Sequence, residues 1–408
     1  MTAALSLLAI VIVAYVAAHF LFDWIAQRYR VLSGAEYLVL GILLGPRVTG
    51  VMSATVVQSF APFMILALGW TGAALGMNCH LPRLLRIPAG TYTTAIVEAT
   101  ITFVFVAAVM LFGVAWAFGL AVNQVVLPAL SMAAIATAST SQPLLALSAA
   151  PQTRVLTQLA TSVLIDNIMA ITCFGILLCI VHVDTHLNQH LITATEWAAI
   201  GIAIGVVCGI LFHLFIGSER HPDLLFVALA GAIILASGAA AYLRLSPLLP
   251  SFLIGAILVN TSDNREVLTR LMQTVEKPLY YVLLLFAGAA WVPSARYNWL
   301  LLVMLFVFVR AAAKLGAARL ASRATSDQEL VAANWGRGLL GQGTIALAIG
   351  MSYSINDTAL VPNVVFSASV ASLLLTDLFG LRRLAVLLRD AAPDITPRVV
   401  RRFTRTSG

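Results

Sequence analysis

Runs of about twenty apolar residues, separated by short polar gaps, recur along nearly the whole chain, and this pattern restricts the fold more than any other feature. Hydrocarbon offers no partner to a backbone N–H or C=O, so such runs become helices that satisfy their own backbone. The composition agrees. Of 408 residues, 61% are hydrophobic and 10% are charged, whereas soluble domains are about a quarter charged. A water-facing surface cannot be built from so few charges over this length. Soluble enzymes, nucleic-acid binders and disulfide-stapled secreted domains are thereby excluded, and an all-α polytopic membrane protein is expected.

Thirteen spans are expected, at about 3–22, 34–53, 55–77, 89–118, 127–149, 154–182, 193–216, 222–243, 245–260, 273–291, 297–320, 331–352 and 358–388. An odd number puts the termini on opposite sides. With the N-terminus outside, 18 of the 24 Lys and Arg residues fall on the cytoplasmic side, seven of them between Arg382 and Arg405. Only Arg47, Arg244 and Arg296 fall outside, while Arg310, Lys314 and Arg337 lie in or beside spans. This asymmetry predicts an N-out, C-in topology, and the Arg- and Ala-biased composition is compatible with a bacterial inner membrane. The segment Met1–Phe20 has no basic n-region and reads as a retained helix rather than a signal peptide. Residues 1–388 are read as the transmembrane domain and 389–408 as a short basic cytoplasmic tail. Cys79, Cys173, Cys179 and Cys208 lie in or beside apolar stretches and read as small buried hydrophobes. No cofactor is implied.

Two segments resemble one another. Glu36–Pro46 reads EYLVLGILLGP and Pro250–Asn260 reads PSFLIGAILVN, with Gly41 matching Gly255. They run in opposite directions and lie seven spans apart. The same offset pairs the fifth span with the twelfth, and both carry helix-breaking interiors. AIATASTSQPLL (Ala134–Leu145) contains Pro143, and GRGLLGQGTIALAIG (Gly336–Gly350) contains five glycines. An inverted repeat, about 34–182 and 245–388, with two crossed broken helices is therefore expected. That is the sign of a midplane substrate site in a secondary transporter.

Ionisable residues inside a membrane are costly, and each demands a reason. Asp166 lies in QLATSVLIDNIMAITCFG. Lys314 is one of only two lysines and sits in an apolar span, VFVRAAAKLGAARL. An ammonium, unlike a guanidinium, can give up its proton when desolvated. Lys314 has the alternative of snorkelling towards the inner face near Arg319. Glu98 is either a second proton site or a protonated residue that hydrogen-bonds a neighbouring helix. Arg310 is a candidate partner of Glu98 or Asp166, and Asp377 and Glu276 read as boundary residues. His182, His186 and His190 are spaced by four in an outer loop, where a solvated role is favoured over a metal site.

With these pieces in place the sequence resembles the monovalent cation:proton antiporter superfamily, of the sodium/hydrogen-exchanger type, over essentially all its helices. The resemblance is carried by VLSGAEYLVLGILLGP, AIATASTSQPLLAL, VLIDNIMAITCFGIL, LSPLLPSFLIGAILVN, VRAAAKLGAARL and GLLGQGTIALAIG, in the family's order. It implies thirteen helices in a dimerisation domain and a core domain, an elevator-like movement, and homodimers. Asp166 falls on the first residue of the family's acidic pair and Asn167 on the second, which is usually the ion-binding aspartate. Lys314 falls on the basic partner of the first aspartate. Thr137, Ser139, Thr140 and Ser141 fall on the unwound crossing segment.

The expected activity is exchange of Na+, Li+ or K+ for protons. Asp166 would be shared between Lys314 and the cation, with oxygens of Thr137, Ser139, Thr140 and Asn167 completing the shell. Removing one partner of a buried ion pair strands a charge, so both loaded states should be near neutral. Lys314 would release its proton as the cation binds, in one-for-one, electroneutral exchange. A carboxylate at 167 would add a negative charge and permit electrogenic exchange. The competing reading is a carrier of another, organic solute with Asp166–Lys314 as a structural lock. A passive channel and an intramembrane enzyme fit less well, since filter-like repeats and catalytic clusters are missing from the sequence.

Overall fold

In a computed structural model the described residues are 35–140, 154–181, 193–216, 219, 221–292, 298–325, 334–355, 361 and 363–376. The expected first span, Ser141, Pro143, the three loop histidines, Asp377 and the arginine-rich tail lie outside them. All regular structure among the described residues is helical. The major helices are α1 (Ala35–Leu44), α2 (Ala61–Met77), α3 (Ala89–Phe118), α4 (Val122–Thr137), α5 (Arg154–Val181) and α6 (Ala194–Ile216). They continue with α7 (Pro222–Tyr242), α8 (Leu248–Thr261), α9 (Arg265–Ala290), α10 (Asn298–Ala324), α11 (Thr344–Ile355) and α12 (Asn363–Thr376). Short helical pieces cover Ala54–Ser59 and Leu81–Leu84, and a 3-10 turn covers Trp335–Leu339. α3, α5, α6, α7 and α10 are each long and apolar enough to cross a membrane. The chain is a multi-pass membrane protein.

Where helix boundaries depart from the sequence reading, local chemistry accounts for it. The span expected at 34–53 is helical only to Leu44, because Pro46 has no N–H and disfavours helix at Gly45. α3, by contrast, ends at Phe118 as expected, before Gly119, whose φ of 65° is the left-handed cap and whose N–H donates to the Ala115 carbonyl. α9 begins at Arg265, well before the expected 273. Its polar first turns extend the helix through what reads as a loop in the sequence.

The helices form two groups. α3, α4, α5, α10, the 3-10 turn and α11 pack chiefly on one another, with α3 against α10 and α4 the densest contacts. α1, α2 and α6–α9 form the other group, led by α2 against α8 and α1 against α9. In these last two crossings the backbones touch. A Cβ on Gly41 would run into the Leu285 carbonyl, and one on Gly288 into the Leu38 carbonyl. A Cβ on Gly255 would meet the Ala73 carbonyl, and one on Gly76 the Phe252 carbonyl. In each crossing a glycine faces the carbonyl three residues before its partner glycine, and the facing is reciprocal. The same contact is thus built twice, from α1–α9 and from α8–α2, with Gly41 and Gly255 in equivalent places. Small residues at such crossings permit close backbone approach where no hydrophobic force drives helices together.

Gly255→Ala should therefore destabilise the protein by about 1–3 kcal/mol, the usual cost of overpacking. Gly238→Ala, which points into open space, should leave the melting temperature of the detergent-solubilised protein within error. Equal melting temperatures for the two variants would refute the close-packed crossing.

Candidate ion and proton site

α4 ends at Thr137, and Ala138 turns the chain extended at φ −58° and ψ 135°. Opposite it, the chain is non-helical between the 3-10 turn ending at Leu339 and the start of α11 at Thr344. The two interruptions meet. The Thr140 N–H donates to the Gly341 carbonyl at 3.1 Å. Cβ atoms on Gly341 and Gly343 would press on Thr140, so bare backbone is what fits there. The Gln342 amide donates to the Ile135 carbonyl at 2.9 Å, serving a carbonyl of α4 near its broken end.

Around this crossing lie four buried ionisable side chains. Glu98 on α3, Asp166 on α5 and Lys314 on α10 are 0% exposed, and Arg310, one helical turn before Lys314, is 1% exposed. The Lys314 Nζ lies 2.7 Å from Asp166 Oδ2 and 3.2 Å from Glu98 Oε1. It does not snorkel to the inner face. Arg310 reaches the crossing itself, donating to the carbonyls of Leu340 at 2.8 Å, Ala138 at 3.2 Å and Gly341 at 3.4 Å. It thus binds both broken strands to α10.

Asp166 Oδ2 also accepts the Ser139 hydroxyl at 2.7 Å. The Asn167 amide grips the backbone of the same serine from both sides: its Oδ1 accepts the Ser139 N–H at 3.1 Å and its Nδ2 donates to the Ser139 carbonyl at 3.0 Å. Thr137 returns its hydroxyl to Ala133 within α4, and Thr140 sits against Gly343. Two carboxylate oxygens, Asp166 Oδ1 and Glu98 Oε2, are buried with no hydrogen-bond partner. A buried polar atom without a partner is costly, and a carboxylate oxygen can relieve that cost by taking up a proton or a cation.

The structure therefore brings together Asp166, Asn167, Lys314, Glu98, Arg310, Ser139 and Thr140, with Thr137 one turn behind. Three features escape a sequence reading. The partner of Glu98 is Lys314, with Thr102 donating to Oε1 at 2.9 Å, and only the i, i+4 spacing of Thr102 hinted at the latter. The bracing role of Gln342 lay unread in GLLGQGT. Asn167 holds the backbone of Ser139 where the family resemblance implies an ion ligand.

No known family model matches this sequence, and neither does any curated protein. Solved structures do match in fold. A structure of the sodium proton antiporter MjNhaP1 from Methanocaldococcus jannaschii at pH 8 superposes with a TM-score of 0.67 at 12% identity, covering 97% of this chain and 100% of that one. An electron-microscopy map of the same antiporter gives 0.65 at 14% identity, covering 96% of this chain and 98% of that one. This chain has the fold of that sodium/proton antiporter over nearly its full length.

Asn167→Asp should unfold the protein about 1–3 kcal/mol more easily. The new carboxylate would lose the bond to the Ser139 carbonyl and set two oxygens against each other in a buried site. Thermal melting in detergent checks this, and a stability equal to the parent's would show that the amide clamp is dispensable.

Proposed function

We propose that the protein is a secondary active transporter that exchanges a monovalent cation, Na+, Li+ or K+, for protons across a bacterial inner membrane. The observation that carries the reading is the state of Asp166. One oxygen is shared by Lys314 and Ser139 at 2.7 Å each, and the other is buried without a partner beside two interrupted helices. A carboxylate already neutralised by an ammonium accepts a cation only if an equivalent positive charge leaves. A proton is the charge at hand, so the exchange is one-for-one and electroneutral. Oxygen donors suit hard cations, and the Ser139 and Thr140 hydroxyls together with the freed carbonyls of the crossing supply them. With Asn rather than Asp at 167, and with Glu98 carried as a neutral acid before the cation arrives, the count is one negative and one positive charge.

Alternating access follows an elevator-like course in this reading. The group carrying the site, α3–α5 with α10–α12, slides against α1, α2 and α6–α9. The side-chain hydrogen bonds between the groups include neutral ones, Ser352 to Ser246 at 3.4 Å and Trp291 to Ser367 at 2.8 Å, which break without stranding charge. The Gly41–Gly288 and Gly76–Gly255 crossings lie wholly within the second group and keep it rigid. Homodimers, with the N-terminus outside and the C-terminus in the cytoplasm, complete the proposal.

Proteoliposomes carrying a pH gradient and an internal pH dye test it. Sodium, lithium or potassium should dissipate the gradient at a rate that clamping the membrane potential at zero leaves unchanged. Asp166→Asn should fall to the rate of protein-free liposomes. A well-folded protein that responds to none of the three cations would sink the exchange reading in favour of an organic-solute carrier.

A further inference from the structure

Lys314 faces two carboxylates, and this changes which group can give up a proton. Of the described helices packed against α3, α4 has no ionisable side chain, α5 brings Asp166, and α10 brings Lys314, while Arg310 on α10 is turned to the carbonyls of Leu340, Ala138 and Gly341. Glu98 Oε1 accepts from Thr102 and lies 3.2 Å from the Lys314 ammonium, and Oε2 has no hydrogen-bond partner. We infer that Glu98 holds the proton exchanged for the cation, while Lys314 keeps its own and shifts its ion pair from Asp166 to Glu98. The inference rests on the exchange reading and deepens it.

The charges balance throughout. With the proton aboard, Asp166 is an anion, Lys314 an ammonium and Glu98 a neutral acid. As the cation reaches Asp166, the O–H bond of Glu98 breaks, its electron pair stays on the carboxylate, and the proton leaves to the aqueous side. Asp166 then pairs with the cation and Glu98 with Lys314. Both states are neutral, and neither leaves a buried charge alone. The alternative removes a proton from an ammonium that two carboxylic groups hold within 3.2 Å. It also destroys an ion pair where ionising Glu98 forms one. The move is short, since one ammonium nitrogen already touches both carboxylates.

Calorimetric titration of the full-length protein with sodium, lithium or potassium chloride, in buffers of different ionisation enthalpy, reads the protons released per cation bound. The parent should release one. Lys314→Arg, whose guanidinium stays charged, should still release it, whereas Glu98→Gln should release none. In the parent, cation binding should also remove a carboxylic-acid C=O band from the infrared difference spectrum. Proton release surviving in Glu98→Gln, loss of release in Lys314→Arg, or an unchanged infrared band in the parent would each overturn the inference. If Glu98→Gln fails to fold, Lys314→Arg and the infrared band decide alone. A parent that binds a cation without releasing any proton, or binds none of the three, removes the exchange reading beneath it.

Discussion

An ammonium held between two carboxylates at the centre of a bilayer protein survives only if every charge near it is balanced and every hydrogen bond near it is made. Breaking such a pair by removing one partner typically costs about 3–5 kcal/mol. Lys314 meets Asp166 at 2.7 Å and Glu98 at 3.2 Å, each from a different helix, so α3, α5 and α10 are bound to one another through one atom. The tight packing of α3 on α10 follows from this as much as from apolar contact.

The interrupted helices impose the second demand. Breaking a helix in a membrane frees donors and acceptors that lipid cannot serve. Arg310 binds carbonyls of both interruptions, Gln342 binds Ile135, and Asn167 binds both backbone groups of Ser139. Polar side chains that seemed extravagant for an apolar chain therefore keep irregular backbone dry and ordered. Beside these bonds, Asp166 Oδ1 and Glu98 Oε2 are buried at the same place without a hydrogen-bond partner.

Much of this was legible residue by residue. Asp166, Lys314, Glu98 and Arg310 stand out because charge is rare in apolar spans, and Pro143 with the run of glycines from 336 to 350 marks two breaks at equivalent places. The boundaries of α3, α5 and α7 follow directly from hydropathy. Less could be read where polarity and helix part company, as at α9, whose first turns look like a loop. Partners were invisible for a different reason: Glu98 and Lys314 are 216 positions apart in the chain, and no local pattern records which of several buried cations an acid will meet.

By itself the sequence determined the medium, the helical class, the two weak points in the helices and the few buried charges, since each follows from the cost of placing a polar group in hydrocarbon. The reciprocal glycine crossings were half visible, as a match between Gly41 and Gly255 with no sign of what either would touch. Tertiary structure alone decided the rest. It gave Lys314 two carboxylates and sent Arg310 to the crossing carbonyls. It also turned Asn167 from a candidate ion ligand into a clamp on Ser139. Pairings of that kind depend on distances of a few tenths of an ångström between side chains on separate helices. Those distances exist only once the backbones have packed.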